Sequence, residues 1–256
     1  MTNILIIPDA HAKPDESKEH FKAAGELIVD KQPDIVICLG DLADMGALSS
    51  YDKGKKSAEN QRYQYDIESV VVAQELLFKP LNDYNRSRKK KYQPDLYLTM
   101  GNHEERINRA VQDDARLEFT LSFEDLRYEE FGWQVSPFKE VLVVEGIALN
   151  HYFPNGLMDK PLAGLSPGRS MINKYHSSCI AGHRHDLDVA SAVNSSGKRM
   201  WGIVAGCWLG PTQEEHYVSK TIQKTWWRGL TLLKDVVDGD FSLEFISQEY
   251  IMKTYS

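Results

Sequence analysis

The strongest constraint on the fold is a set of short apolar runs, residues 4–7, 35–39, 96–100, 147–149 and 179–181, each ending abruptly at Gly, Asp, Asn or His. Runs of this length and apolarity read as strands buried on both faces, as in a sheet covered by other layers. Between the first two, Phe21, Ala24, Leu27 and Ile28 recur at helical spacing behind Ser17, which is placed to cap the helix. A βαβ unit is therefore expected at the start of the chain. Residues 60–81 carry a longer helical pattern, with Ile67, Val70, Val71, Gln74, Leu77 and Phe78 along one side. Beyond residue 185 the pattern changes to strand pairs, 187–193 with 199–205 and 229–237 with 241–246, joined through Asn194-Ser195-Ser196-Gly197 and Asp238-Gly239. A mixed α/β fold follows, with a C-terminal part that is mostly antiparallel.

The chain of 256 residues, 42% hydrophobic, can bury a sizeable core, and one domain spanning residues 1–256 is expected. A net charge of -7 argues against a surface built to coat nucleic acid, which relies on Lys and Arg, yet leaves room for a local basic strip. The start of the chain has neither a basic leader nor a long apolar run, and no later segment could span a bilayer, so a soluble cytoplasmic protein without membrane association is expected. Cys38, Cys179 and Cys207 read as structural thiols, and the basic run at residues 86–91 as a solvated loop.

In open α/β sheets ligands bind beyond the carboxyl ends of the strands, so the residues that stop each run need a separate reading. They are Asp9 and His11 after the first run, Asp41 and Asp44 after the second, Asn102, His103 and Glu104 after the third, then His151, then His183 and His185. A lone Asp ends many strands, and a lone His is usually a hydrogen-bonded core residue. Five of the chain's eight histidines at strand ends are far harder to obtain by chance. Imidazole, carboxylate and amide donors suit zinc, manganese, iron or nickel, and the lack of nearby thiolates argues against a structural zinc site. Seven candidate ligands, Asp9, His11, Asp41, Asn102, His151, His183 and His185, exceed what one such ion accepts. Two divalent ions sharing Asp41 satisfy the count. Their charge, roughly +2 after two carboxylates, favours an anionic substrate such as a phosphate and activates water.

The series D-x-H at Asp9, G-D-x-x-D at Gly40, G-N-H-E at Gly101, a single His at 151 and G-H-x-H at Gly182 closely resembles the calcineurin-like metallophosphoesterase superfamily. The resemblance covers Asp9 to His185 and implies a four-layer α/β/β/α sandwich. It implies that Asp9, His11, Asp41 and His185 hold one metal and Asp41, Asn102, His151 and His183 the other, manganese being the expected ion. His103 is implied to face the substrate and give a hydrogen bond or proton to the leaving oxygen, supported by Asp44. His176 could be confused with the single His, but residues 146–149 supply the strand that delivers His151. His20 and His216 have no such context and are expected on the surface.

Within that superfamily the Ser/Thr phosphoprotein phosphatases carry an Arg just after the second acidic residue of the Asp41 motif, where this chain has Met45. The departure tilts the expectation toward diesters. The implied function is a phosphodiesterase acting on a nucleotide or, nuclease-like, on single-stranded nucleic acid. A phosphomonoesterase or protein phosphatase is the enzymatic alternative. A non-catalytic scaffold would be expected to lose ligands or His103, and this chain keeps them. Candidate phosphate contacts are Arg106, Arg109, Arg184, Lys53, Lys55 and Lys56, of which Arg106 and Arg184 are preferred.

Overall fold

In the computed structural model, which describes residues 1–50, 53–156 and 159–255, the chain runs through β1 (Thr2–Ile7), α1 (Glu19–Lys31), β2 (Ile35–Cys38), α2 (Tyr63–Arg86), β3 (Asp95–Thr99), α3 (Glu105–Asp113) and β4 (Gln134–Ser136). It continues as β5 (Leu142–Val144), β6 (Ile147–Asn150), β7 (Pro154–Asn155), β8 (Lys160–Pro161), α4 (Pro167–Tyr175) and β9 (Ser178–Ala181). The last elements are β10 (Leu187–Val193), β11 (Arg199–Ala205), α5 (Lys220–Gln223), β12 (Gly229–Val237), β13 (Asp240–Ser247) and α6 (Gln248–Tyr255). One six-stranded sheet has the order β13-β12-β1-β2-β3-β4, with β1 to β4 parallel and β12 and β13 antiparallel. The other, five-stranded, has the order β10-β11-β9-β6-β5, parallel at its centre and antiparallel at both edges.

Alternation along the strands sets the layers, because successive side chains point to opposite faces. Leu5 and Ile7 of β1 and Val36 and Cys38 of β2 pack with Phe21, Leu27, Val70 and Leu77 of α1 and α2. Ile4, Ile6, Ile35 and Ile37, one position out of phase, meet Ile147, Leu149, Ile180 and Ile203 of the second sheet. The far face of that sheet, Ala148, Cys179, Ala181 and Val204, is covered by Met171 of α4 together with Phe153. The result is the four-layer α/β/β/α sandwich.

Several elements depart from the sequence reading for identifiable reasons. Helix α1 starts at Glu19 with Lys18 as its N-cap, and Ser17 Oγ only accepts a long bond of 3.4 Å from the Glu19 amide. Helix α2 runs on through Pro80 to Arg86 instead of stopping near residue 81. A proline inside a helix removes one bond, but packing can hold the helix together, and here α1 lies directly on that turn. A Cβ on Gly25 would come within 2.2 Å of the Leu77 carbonyl oxygen and 3.0 Å of the Pro80 ring, so only glycine permits the approach. The C-terminal part is antiparallel in β10–β11 and β12–β13, yet β11 pairs parallel to β9 and the chain closes in helix α6. All three cysteines are free and buried, and burial pushes the Cys179 and Cys207 thiols up to about 12. Among the described residues no helix is long and apolar enough to cross a membrane.

His20 is not a surface residue. It is 2% exposed, its ring lies 4.3 Å from that of Phe21 and 6.0 Å from that of Trp208, and neither nitrogen has a hydrogen-bond partner. The cause is helical phase: residue 20 precedes the buried Ala23 and Ala24 by three and four positions and shares their face. Burial, helped by the charge of Lys18, depresses its pKa from 6.5 to about 3. The stability that depends on its neutral ring is therefore present above pH 6.5 and lost as pH falls toward 3. His20→Leu is expected to flatten the fall of Tm between pH 6.5 and about 4 relative to wild type. Parallel slopes in a thermal denaturation series would show that His20 does not titrate from a buried site.

Candidate active site

The ends of β1, β2 and β3 and those of β6 and β9 lie at one rim of the sandwich, and the loops that follow them meet there. Those loops turn sharply: His11, Asp41, His183 and His185 all have positive φ, between 42° and 70°. Such values are uncommon for non-glycine residues and concentrate at functional sites. Two glycines allow the loops to close. A Cβ on Gly101 would lie 2.0 Å from Asp41 Oδ1, and one on Gly182 2.2 Å from Asp9 Oδ1.

Asp9 and Asp41 are buried, and backbone amides hold each in place. The His183 amide donates to both Asp9 oxygens at 3.0 and 2.8 Å, and the His103 amide donates to Asp41 Oδ1 at 2.8 Å. Their remaining surfaces face imidazoles. His185 Nε2 is 3.1 Å from Asp9 Oδ2, while Asp41 Oδ2 is 3.2 Å from His151 Nε2 and 3.5 Å from His11 Nε2. His151 Nδ1 donates to the Leu39 carbonyl at 2.8 Å, which fixes the tautomer of the neutral ring. Its Nε2, a donor when the ring is protonated and the nitrogen free to ligate when it is neutral, lies 3.0 Å from Asn102 Oδ1, 3.2 Å from His183 Nδ1 and 3.2 Å from Asp41 Oδ2.

This convergence of acceptor atoms fits a cation. Donor atoms of Asp9, His11 and His185 lie within 4.8 Å of one another, as do those of Asp41, His151 and His183. Both nitrogens of the buried His11 face carboxylates, Nε2 that of Asp41 at 3.5 Å and Nδ1 those of Asp44 and Glu215 at 3.2 and 3.3 Å. The chemistry of the donors, imidazole with carboxylate and an amide oxygen, is that of a first-row transition ion. In the protein alone, the imidazoles and carboxylates shift one another's protonation. Burial opposes ionisation of Asp41, but His151, His103 and His11 hold its carboxyl well below the usual range. Against the same burial, Asp41 and Asp9 raise His151 to about 9, while burial beside His151 lowers His183 to about 4.

His103 sits at the edge of this cluster, its ring 4.3 Å from that of His11. Its Nδ1 donates to the Asp44 carbonyl at 2.8 Å and lies 3.2 Å from the Asp44 carboxylate. Its Nε2 accepts from Arg106 at 3.1 Å, since a guanidinium can only donate. The Asp44 carboxylate also lies 3.2 Å from His11 Nδ1, so it joins His103 to His11.

Three residues here escaped the sequence reading as contributors to the site. Glu104, fully buried, accepts from the amides of Asp41 and Gly101 at 3.0 and 2.9 Å and, through its other oxygen, from Ala43 and the Tyr128 hydroxyl. It ties the loop after β2 to the loop after β3. Its signal was present as the last letter of G-N-H-E, but spacing alone does not distinguish a loop tie from a surface acid. Glu215 lies 3.3 Å from His11 Nδ1 and accepts from Lys13 at 2.6 Å. Neither of these two residues directly follows an apolar run, so nothing in the pattern marked them. Lys13 also lies 3.9 Å from Asp44, placing a cation where His11, Asp44 and Glu215 converge.

A groove of about 660 Å³ opens over the cluster, lined among others by His11, Asp41, Asn102, His103, His183, His185, Arg106, Arg184 and Lys55. Arg106 also donates to the Asp44 carbonyl, and Arg184 is paired with Asp186 at 2.8 Å and with the Gly164 carbonyl at 2.9 Å. Arg109, Lys53 and Lys56 are exposed and stand outside the lining, as do the exposed His176 and His216.

Several known proteins are similar to this chain. The "Gene 54 protein" of Mycobacterium phage L5 is 25% identical over 244 residues, covering 92% of this chain and 89% of that protein. Yfce, a phosphoesterase from E. coli, is similar over 96% of this chain and 100% of its own, with 11% identity and a TM-score of 0.38. TT1561 of Thermus thermophilus is similar over 95% of this chain and 98% of its own, with 10% identity and a TM-score of 0.43. The family model described as calcineurin-like phosphoesterase matches residues 2–226, and the chain belongs to that family.

Proposed function

We propose that the protein is a phosphodiesterase that holds two divalent cations, manganese foremost, and hydrolyses a nucleotide or short single-stranded nucleic acid in the cytoplasm. The observation that carries this is the position of Asp41, whose one carboxylate oxygen stands 3.5 Å from His11 and 3.2 Å from His151, between the two donor sets. A carboxylate so placed can serve both ions. Asp9, His11, Asp41 and His185 would hold one, and Asp41, Asn102, His151 and His183 the other. When bound, the ions supply positive charge for the phosphoryl oxygens and lower the pKa of water.

Met45 supports a diester over a monoester. It is fully buried in the core beneath α2, and its carbonyl accepts from Arg106 at 3.3 Å, so no cation reaches the groove from that position. A monoester dianion would be left with less compensation than a diester monoanion. The cations of the groove, Lys55, Arg106 and Arg184, are few, and the chain is acidic overall. That balance suits a nucleotide or a short strand better than long duplex.

His103 is proposed to protonate the leaving oxygen. The Asp44 carbonyl and carboxylate both accept at Nδ1, which favours a proton there and turns Nε2 toward the groove. Nε2 is engaged by Arg106. For His103 to donate, Arg106 turns from the ring to a phosphate oxygen of the substrate, the freed Nε2 takes up a proton from water, and that proton passes to the leaving oxygen.

The purified protein is expected to bind about two transition-metal ions per chain and to lose activity to chelators. Asp41→Asn should lower occupancy of both sites. One tightly held ion in wild type, with activity indifferent to chelation, would sink the dinuclear assignment. Bis(p-nitrophenyl) phosphate should be hydrolysed with higher kcat/KM than p-nitrophenyl phosphate, and the reverse order would make the protein a monoesterase. His103→Ala should cost about 10²–10⁴-fold on a nucleotide diester, the usual range for general acid catalysis, and much less on a p-nitrophenyl ester, whose leaving group departs unaided. Equal losses on both substrates, or a fall in bound metal, would remove His103 from the acid role.

A further inference from the structure

The lining of the groove is of two kinds. Its cations come from scattered positions, whereas one segment, residues 217–226, contributes Tyr217, Val218, Ile222 and Trp226 side by side. Ile222 is 56% exposed and Trp226 half-buried. Single exposed apolar side chains are ordinary, but a contiguous set at the rim of an ionic site marks a surface made for an apolar part of a ligand.

This segment is fixed to the candidate centre at both ends. Before it, Gln213 Nε2 donates to the His11 carbonyl at 3.0 Å, and Glu215 accepts from Lys13. Within it, Gln223 donates to the Glu215 and Val218 carbonyls at 2.8 and 2.7 Å and accepts from the Glu215 amide at 3.0 Å. After it, the Trp227 amide donates to the His185 carbonyl at 2.9 Å, and Arg228 donates to the Gln213 carbonyl at 2.8 Å. The Trp226 ring stands nearly perpendicular to that of His185, with centroids 4.6 Å apart, and Arg228 lies 5.8 Å from its centroid. The backbone beside the indole is thus bonded to the loop that carries His185 as well as to the end of β11 at Cys207 and to Gln248 of α6.

We propose that Trp226, flanked by Ile222, is the stacking platform for a nucleobase of the substrate, an assignment that rests on the diester function proposed above. A nucleotide is a phosphate joined through a sugar to a flat, uncharged ring system, and the groove offers the matching sequence of surfaces. The proposed metal ligands and Arg106 take the phosphoester; the indole beside His185 takes the ring. Stacking on an aromatic side chain tolerates any base, because every base has a π-face, so Trp226 selects for the presence of a base rather than for its identity. The segment lies beyond His185, outside the signature that defines the centre, so the signature carries no information about it.

The test compares thymidine 5′-p-nitrophenyl phosphate with methyl p-nitrophenyl phosphate, which share the reacting group and leaving group and differ in the nucleoside, sugar and base together, so that the effect of Trp226 on the difference reports the base it would stack on. Trp226→Ala is expected to lower kcat/KM about 5- to 100-fold more on the thymidine ester than on the methyl ester, chiefly through KM, the range that stacking of one base supplies. Trp226→Phe should restore most of the difference. Calorimetric titration of the metal-loaded protein with thymidine 5′-monophosphate and with inorganic phosphate reads the same preference without turnover. Wild type should bind the nucleotide more tightly, and Trp226→Ala should erase the gap. Equal losses on both esters would mean that Trp226 only positions His185, and equal binding of nucleotide and phosphate by wild type would leave no base to stack. Either result overturns the assignment. Preference for a monoester would sink the diester function instead, while the binding comparison would still decide the role of Trp226.

Discussion

The structure is organised around the burial of two carboxylates, Asp9 and Asp41, that no Lys or Arg side chain neutralises among the described residues. Removing an ionised carboxylate from water costs several kcal/mol unless charge and hydrogen bonds replace the water. Here the replacement comes from two backbone amides and four imidazoles, delivered from strands of both sheets. Such a set can form only if the two sheets face each other with their parallel strands ending at the same rim. The isoleucine and leucine layer between β1, β2, β6, β9 and β11 therefore does more than bury area. It fixes the separation between the loops that hold Asp9 and Asp41 and those that hold His151, His183 and His185.

That dependence explains what could be read from the sequence. Apolar runs that stop at a candidate ligand are visible because strand and ligand are adjacent in sequence, and the five strands that carry the cluster all stand within a residue or so of the runs. The four-layer order followed from the resemblance, and the alternation in β1 and β2 gives its physical basis. Helices α4 and α6 went unread because they are short and their apolar faces are completed by strands far away in sequence. His20 was misplaced for a related reason. Its own helix puts it on the inner face, but a polar residue type hid that phase, and the Trp208 that covers it arrives from the other end of the chain.

At the site, the same principle separates the residues proposed to hold the centre from those that support it. Every proposed ligand follows a strand and was legible. Glu104, Lys13 and Glu215 act at one remove, through amides or through His11, and their partners are fixed only in three dimensions. Glu104 illustrates the cost of overlooking such residues. A fully buried carboxylate that satisfies three backbone amides and a hydroxyl is what allows the loop bearing Asp41 to keep its left-handed turn. Without it those amides would be buried and unpaired, each costing about 1–3 kcal/mol.

The cluster and the rest of the groove thus answer to different constraints. The turns of the cluster are strained and tied to one another, so they leave little freedom to vary without losing the carboxylates' compensation. Residues 206–228 join β11 to β12, outside the hydrogen-bond ladders of both sheets apart from the isolated bridge between Cys207 and Arg228, and they attach to the cluster through side-chain amides and backbone groups. Such a connection can change its exposed side chains while keeping its anchors. On the proposed function, charge at phosphorus would be handled by residues that the fold fixes, and discrimination among substrates would fall to a segment that the fold merely docks. A signature built from strand ends consequently identifies the chemistry of the centre and is silent on the molecule it acts upon.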